Sequence, residues 1–240
     1  MKDSSIETIS LEKSINAVIL ASGRGSNAKA LLEYCRTSEN LNANIPWDIK
    51  LIVTDNHDAG VIQVANDFDI PVIVLPFPKV NKEDRDQRRQ KYSTELAAQI
   101  KRFDDSITFA ICAGFMKIVT VDFLNAFKEP NLNLYRVINI HPSLLPSFPG
   151  ANAYRDAFEY GVSISGATTH FVDEKVDHGP IIDQSSFKRV GEDTLESFKV
   201  RGLEQEYPLF VNTLKLIQNN KLRFINQPDN QRLVINVLRD

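Results

Sequence analysis

Residues 17–27 read AVILASGRGSN: an apolar run from Ala17 to Ala21, then Ser22, Gly23, Arg24, Gly25, Ser26 and Asn27. An apolar run this short fits a buried strand and is too short for a helix. The glycines stop it, and residues 27–36 then place Ala30, Leu31, Tyr34 and Cys35 at helical spacing. Strand, glycine turn and helix in that order open a doubly wound α/β sheet. The first N–H groups of the helix have no partner within it, so the turn favours an anion such as phosphate. Gly25 lets the backbone approach such a ligand closely, and Ser26 and Asn27 add polar contacts. The turn lacks the Gly-Lys-Ser/Thr ending of a P-loop and the third glycine of a dinucleotide fingerprint. Taken alone, it is also what the geometry of any strand-to-helix turn produces.

The alternation continues outward. Residues 48–54, 71–75, 107–113 and 136–140 read as strands. Residues 58–68 read as a helix with Val61, Ile62, Ala65 and Phe68 on one side. Residues 82–103 read as a helix with Tyr92, Leu96, Ile100 and Phe103 in a narrow apolar stripe. Beyond residue 160 the pattern changes: residues 165–172 and 180–189 are strand-like with little helix between them, residues 194–216 return to helix, and residues 221–237 suggest two short strands around the turn signal Pro228-Asp229-Asn230. The expected fold is α/β: a Rossmann-like, open, mainly parallel sheet with helices on both faces and antiparallel additions in the C-terminal half. A polar extension at 1–14 precedes a single domain expected over 15–240.

Composition narrows the function. The 240 residues are 42% hydrophobic and 25% charged, enough for a sizeable core and unlike a disordered chain. A net charge of −3 lacks the overall basic bias of a nucleic-acid binder, so no nucleic-acid partner is expected. Cys35 and Cys112 stand far apart without a CxxC, which excludes a disulfide scaffold and fits a reducing compartment. No apolar stretch approaches the ~20 residues that span a bilayer, and the N-terminal residues carry no export signal. The expectation is a cytoplasmic protein without a membrane partner.

Two segments carry candidate chemistry. Asn139-Ile140-His141-Pro142 closes the strand at 136–140. Side chains alternate along a strand, so Asn139 and His141 share one face and Ile138 and Ile140 the other. Pro142 interrupts the ladder and puts the pair at the carboxyl end, where open α/β sheets bind ligands. An amide donor beside an imidazole suits a reaction that builds negative charge on oxygen and moves protons. The second segment, residues 173–180 (DEKVDHGP), is a polar loop that could deliver a carboxylate to that imidazole or simply be a solvated turn. His141, His170 and His178 match no metal-binding spacing, and no metal is expected. The basic stretch at 79–102 reads first as the solvated face of a helix, with one or two arginines available to an anionic ligand.

Residues 139–150, NIHPSLLPSFPG, resemble the signature of the folate-dependent formyltransferase family, in the branch that acts on glycinamide ribonucleotide. The resemblance extends over roughly residues 16–216 and includes ASGRGSN, AGFMKIV at 113–119 and HFVDEKVDHGPII at 170–182. It implies a formyltransferase fold. It also implies a reaction in which the amine of glycinamide ribonucleotide takes the formyl group of 10-formyltetrahydrofolate, a step of de novo purine (IMP) synthesis. The alternatives within the family are a formyltetrahydrofolate hydrolase and an amino-sugar N-formyltransferase. Matched by position, Asn139, His141 and Asp177 fall on the catalytic trio. Asn139 would donate to the formyl oxygen, His141 would donate there and to the departing N10, and Asp177 would favour the charged imidazole and relay the amine proton. Gly25, Ser26 and Asn27 match the ribonucleotide phosphate segment. Met116, Lys117, Ile118 and Val119 match the folate pocket, together with Asn139 and Asp173, Glu174, Lys175, Val176 and Asp177. Arg89 matches an arginine near the folate, with Arg88 its rival. Glu204 is the candidate contact to the substrate amine; here Gln205 stands where the family has histidine, and the spacing to Tyr207-Pro208 is one residue short.

Overall fold

The computed structural model describes residues 7–78, 85–226 and 233–238. Residues 1–6, residues 79–84 with the expected start of a helix at 82, and the turn at 228–230 lie outside the described residues. Seven strands hydrogen-bond in the order β3-β2-β1-β4-β5-β6-β7, and β8 and β9 form a separate two-stranded sheet. The chain divides into two compact units, Leu11–Glu129 with Leu134–Ile138, and Met1–Ser10 with Pro130–Asn133 and Asn139–Asp240.

The first unit is built on β1 (Ile15–Leu20), β2 (Trp47–Thr54), β3 (Val72–Val74) and β4 (Phe109–Cys112). β1 pairs in parallel with β2 on one side and β4 on the other, and β2 pairs in parallel with β3. The strands are apolar throughout because both faces are covered: Ala17, Val18, Ile19 and Leu20 have no exposed surface. The crossovers carry α1 (Ser26–Cys35), α2 (Ser38–Leu41), α3 (Val61–Asp67) and α4 (Arg85–Phe103), and α5 (Val121–Asn125) follows β4. Tyr92, Leu96 and Ile100 of α4 are buried as their spacing requires, but Phe103 is 45% exposed. Ala97 joins the stripe instead, since Ser93, Ala97 and Ile100 lie on the adjoining row of the same face.

No helix was expected at α2, because one turn carries no readable period. Its side chains explain it. Thr37 Oγ1 accepts from the Asn40 N–H at 3.3 Å. Asn40 is buried and its amide donates to the carbonyls of Cys35 (3.0 Å) and Trp47 (2.9 Å) while accepting from the Trp47 N–H (2.9 Å). A single side chain thus satisfies the backbone where the chain turns back into β2.

β5 (Val137–His141) contributes Val137 and Ile138 to the first unit and its last three residues to the second. In the second unit, β6 (Ile164–Phe171) and β7 (Ile181–Lys188) pair antiparallel, as the change of pattern after residue 160 predicts. α6 (Ala153–Tyr160), which was not expected, precedes β6 and ends on Gly161 in the left-handed region (φ 85°), a conformation open to glycine. α7 (Leu195–Gln218) starts with a reciprocal cap: Thr194 Oγ1 accepts from the Ser197 N–H and Ser197 Oγ from the Thr194 N–H. β8 (Leu222–Asn226) and β9 (Leu233–Val237) form the expected antiparallel hairpin. The described end of the N-terminal extension joins it, Glu7 bridging Phe224 through two backbone bonds of 3.3 and 2.9 Å.

One ion pair in the first unit is nearly dry. Arg136 Nε donates to Glu129 Oε2 at 2.7 Å, with the side chains 9% and 0% exposed. Removing one partner strands a buried charge, so Glu129→Ala should lower unfolding free energy by ~3–5 kcal/mol. Urea unfolding checks this, and the apolar pair Glu129→Leu with Arg136→Met should recover most of the loss.

Candidate active site

The order of the first strands reverses at β1: β2 lies on one side and β4 on the other. Open α/β sheets bind ligands outside the carboxyl ends of the strands at such a switch point. The loops leaving β1 and β4 are tied together there. The Ser22 N–H donates to the Gly114 carbonyl at 3.1 Å, and the Met116 N–H donates to Ser22 Oγ at 2.9 Å. The segment matched to phosphate binding and the segment matched to folate binding are therefore neighbours, a fact that their separation in sequence conceals.

Gly25 forms the N-terminal cap of α1 at φ 82°, with no side chain capping the helix. A Cβ on Gly25 would lie 2.8 Å from Val61 Cα and 2.9 Å from Val61 Cβ. Conformation and packing both demand glycine. Ser26 is exposed, whereas Asn27 is buried, so Asn27 offers a ligand its helix-start backbone more readily than its side chain. Downstream of β4, Met116 and Ile118 expose apolar side chains and Lys117 pairs with Asp55 at 3.0 Å. Arg89 is bonded to Asp86 at 3.4 Å. Arg88 has a buried Nε without a hydrogen-bond partner among the described residues.

The second unit gathers the charged groups. His141 is the last residue of β5 and is buried. Its Nε2 lies 2.8 Å from the Phe148 carbonyl and its Nδ1 3.3 Å from Asp177 Oδ2. A carbonyl only accepts, so Nε2 carries a proton. Asp177 sits in the left-handed region at φ 52°, which an aspartate tolerates better than most residues. Its side chain is 10% exposed, and Oδ2 also accepts from the Gly150 N–H at 2.7 Å. Asn139 Nδ2 lies 3.1 Å from His170 Nε2, and His170 Nε2 lies 3.8 Å from Asp177 Oδ1. Asn139, His170, Asp177 and His141 thus form one continuous cluster.

Three members of this arrangement were not singled out for a site role from sequence. His170 lies on β6, and only strand pairing brings it to Asn139. The Phe148 carbonyl and the Gly150 N–H belong to the backbone, whose use no residue type reveals. Phe148 adopts φ 51°, rare for a bulky residue. Its ring packs with Tyr154 and Phe158 against the buried cluster of Ala157, Phe187 and Phe198, which holds the carbonyl on His141. Elsewhere in the loop of 173–178, Asp173 Oδ2 lies 2.7 Å from His178 Nδ1, and Glu174 and Lys175 are exposed, as is Val176.

On α7, Glu204 is exposed, near Arg201. The buried carboxylate of this segment is Glu206, which accepts from the Tyr154 hydroxyl, and Gln205 Oε1 accepts from Ser185 Oγ at 2.9 Å. A Cβ on Gly202 would collide with the Tyr154 ring at 2.2 Å. Burial, then the Glu206 charge, raises the Tyr154 pKa far above its ordinary value, so the phenol stays a donor. Burial also pushes the Cys35 and Cys112 thiols up to about 12, leaving neither as a nucleophile near neutral pH.

An amide donor, an imidazole and a carboxylate at the carboxyl end of one strand are suited to group transfer through a charged tetrahedral intermediate, and the fold is that of a Rossmann-like transferase. Residues 15–214 match the family model described as formyl transferase. The chain is 31% identical over 206 residues to phosphoribosylglycinamide formyltransferase of Haemophilus influenzae, covering 85% of this chain and 88% of that protein. It is 31% identical over 211 residues to the chloroplastic phosphoribosylglycinamide formyltransferase of Arabidopsis thaliana, covering 86% of this chain and 66% of that longer protein. Among solved structures, glycinamide ribonucleotide transformylase 1 of Symbiobacterium toebii aligns with a TM-score of 0.77 at 30% identity, over 98% of this chain and 100% of that one. The chain belongs to the formyl transferase family, in its phosphoribosylglycinamide formyltransferase branch. No described helix is long and apolar enough to cross a membrane.

The turn at Gly25 yields a prediction. Gly25→Ala forces both a strained φ and a shift of Val61, which disturbs the N–H groups at the start of α1. The KM for a phosphorylated substrate should rise severalfold while the KM for the formyl donor changes little, measured by steady-state kinetics with each substrate varied in turn. Equal changes in both would mean that the turn serves packing alone.

Proposed function

We propose that this chain transfers the formyl group of 10-formyltetrahydrofolate to the amine of glycinamide ribonucleotide, a step of purine synthesis. The observation that carries the reading is the 3.3 Å contact between His141 and Asp177, with the Asn139 amide on the same end of β5. Family membership supplies the reaction class, and this chain's own residues supply a role for each proton.

The amine lone pair attacks the formyl carbon, and the carbonyl electrons move onto oxygen. An N–H of Asn139 meets that oxyanion; removing one such donor typically costs ~10²–10³ in kcat. The new ammonium group loses a proton, through water, to Asp177. The oxyanion electrons re-form the carbonyl and the bond to N10 breaks as His141, protonated on both nitrogens, donates its Nε2 proton to N10, giving formylated product and tetrahydrofolate. The proton on the Asp177 carboxyl then returns through water to the bare Nε2 of His141, restoring imidazolium and carboxylate. The Phe148 carbonyl, which holds the His141 Nε2–H without substrate, gives way when the formyl donor enters.

The helix start at Gly25, Ser26 and Asn27 suits the ribonucleotide phosphate. The exposed Met116 and Ile118 suit an apolar ring system. Arg89 suits the acidic tail of a folate, and residues 173–177, in the second unit, suit polar groups of the formyl donor. Glu204, being exposed, is the carboxylate of its segment that an incoming amine can reach, whereas Glu206 is committed to Tyr154.

The test is an absorbance assay of a 10-formylfolate donor with and without glycinamide ribonucleotide. Turnover should need the ribonucleotide; turnover without it would mean a hydrolase. Asn139→Ala and His141→Ala should each lower kcat by ~10²–10³ or more. Because both act on one intermediate, the double variant should lose less than the product of the single losses. Multiplicative losses would show that the two residues do not share an oxyanion.

A further inference from the structure

An asparagine amide has a donor end and an acceptor end of almost the same shape. Its value beside a developing oxyanion depends on which end faces the substrate. At Asn139 the side chain in contact with the amide is that of His170, a residue the proposed mechanism does not use. His170 Nδ1 lies 2.8 Å from the Phe171 carbonyl, and a carbonyl can only accept, so the proton sits on Nδ1. The ring is 1% exposed. Burial lowers its pKa below the ordinary imidazole value, against the opposing pull of the Phe171 carbonyl and Asp177, with His141 adding to the lowering and Asp173 opposing it. A neutral ring protonated at Nδ1 presents a bare lone pair at Nε2, and Asn139 Nδ2 stands 3.1 Å from it. Asp177 Oδ1, at 3.8 Å from the same nitrogen, is beyond hydrogen-bond length.

We propose that His170 is a positioning residue for the formyl transfer: by accepting one N–H of Asn139 it fixes the orientation of the amide and leaves the second N–H for the formyl oxygen. The inference rests on the reading of Asn139 as the oxyanion donor. A ring protonated at Nε2 would do the reverse, drawing the amide oxygen toward itself and turning the donor end away.

The Phe171 carbonyl that selects this tautomer is itself immobilised. The Phe171 N–H donates to the Pro180 carbonyl at 2.9 Å. A Cβ on Gly179 would lie 1.8 Å from the Phe171 oxygen, so only glycine leaves that carbonyl in place. The Phe171 ring packs against Phe224 of the C-terminal hairpin, centroids 5.9 Å apart.

Two substitutions separate the two bonds of the ring. His170→Asn keeps an amide donor near the Nδ1 position for Phe171 but withdraws the acceptor from Asn139. His170→Gln places an amide oxygen near the Nε2 position and restores it. His170→Asn should lower kcat by about 10-fold or more, bounded by the ~10²–10³ of a missing oxyanion donor, with both KM values nearly unchanged. His170→Gln should regain most of that loss. In an Asn139→Ala background, His170→Asn should cost nothing further, because it acts only through the amide. Multiplicative losses, or an unchanged kcat in His170→Asn, overturn the proposal. Nitrogen-15 NMR of the unmodified protein gives a check that needs no variant: His170 should show a protonated Nδ1 and a bare Nε2, and a protonated Nε2 overturns the proposal. An unimpaired Asn139→Ala enzyme would instead overturn the underlying reading of Asn139, an outcome distinct from an impaired Asn139→Ala enzyme in which His170 acts independently.

Discussion

A carboxylate held away from water must be met by donors, and Asp177 organises the second unit around that requirement. One oxygen takes the Gly150 N–H and faces His141 Nδ1; the other lies 3.8 Å from His170 Nε2, beyond hydrogen-bond length. Each of these contacts joins a different piece of chain: the loop after β5, the end of β5 itself, and β6. The left-handed backbone at Asp177 turns the side chain toward them. The loop that follows His141 is held in turn at its other points. The Leu145 N–H donates to Thr168 Oγ1 at 3.0 Å, and Thr168 Oγ1 donates to the Ser143 carbonyl at 2.7 Å. A buried hydroxyl that gives and accepts at once fixes the path of the loop across β6.

The proposed chemistry therefore sits on supports that are mostly backbone. His141 is oriented by a carbonyl, Asp177 by an N–H, and His170 by another carbonyl. Backbone groups held by packed strands cost little reorganisation when charge develops, which is the condition for effective electrostatic stabilisation. Aromatic packing does the holding. Phe148 is fixed against Phe187 and Phe198, and Phe171 against Phe224. The hairpin of β8 and β9 lies beyond residue 214, where the family match ends, yet Phe224 is only 1% exposed. The described end of the N-terminal extension pairs with the same strand. Two segments outside residues 15–214 thus pack together, next to Phe171.

Much of this was legible in the chain. Each strand expected from an apolar run is present within a few residues, because a strand covered on both faces must be apolar along its whole length, as Ala17 to Leu20 are. The glycine turn at 22–27 had to precede a helix, and Gly25 adopts the positive φ that its type permits. Asn139 and His141 had to share a face, since strand period is two. Short elements escaped: α2 has one turn and α5 little more, too few residues to show a period. Phe103 was assigned to the α4 stripe by spacing alone, but spacing does not show where the covering sheet ends.

Residue types and their order thus determined the α/β class, the strand-end location of the imidazole and the supply of a carboxylate in the loop after β6. Tertiary structure alone decided which partners those groups received. Asp177 reaches His141 from 36 positions away because a left-handed residue and a buried charge bring the loop back onto β5. His170 meets Asn139 because the strands of the sheet bring them within hydrogen-bond reach, and its tautomer depends on a backbone carbonyl that has no signature in the sequence. Local patterns report periodicity and conformational preference. Hydrogen-bond direction, and with it the division between donor and acceptor at the site, exists only once distant backbone has been packed into place.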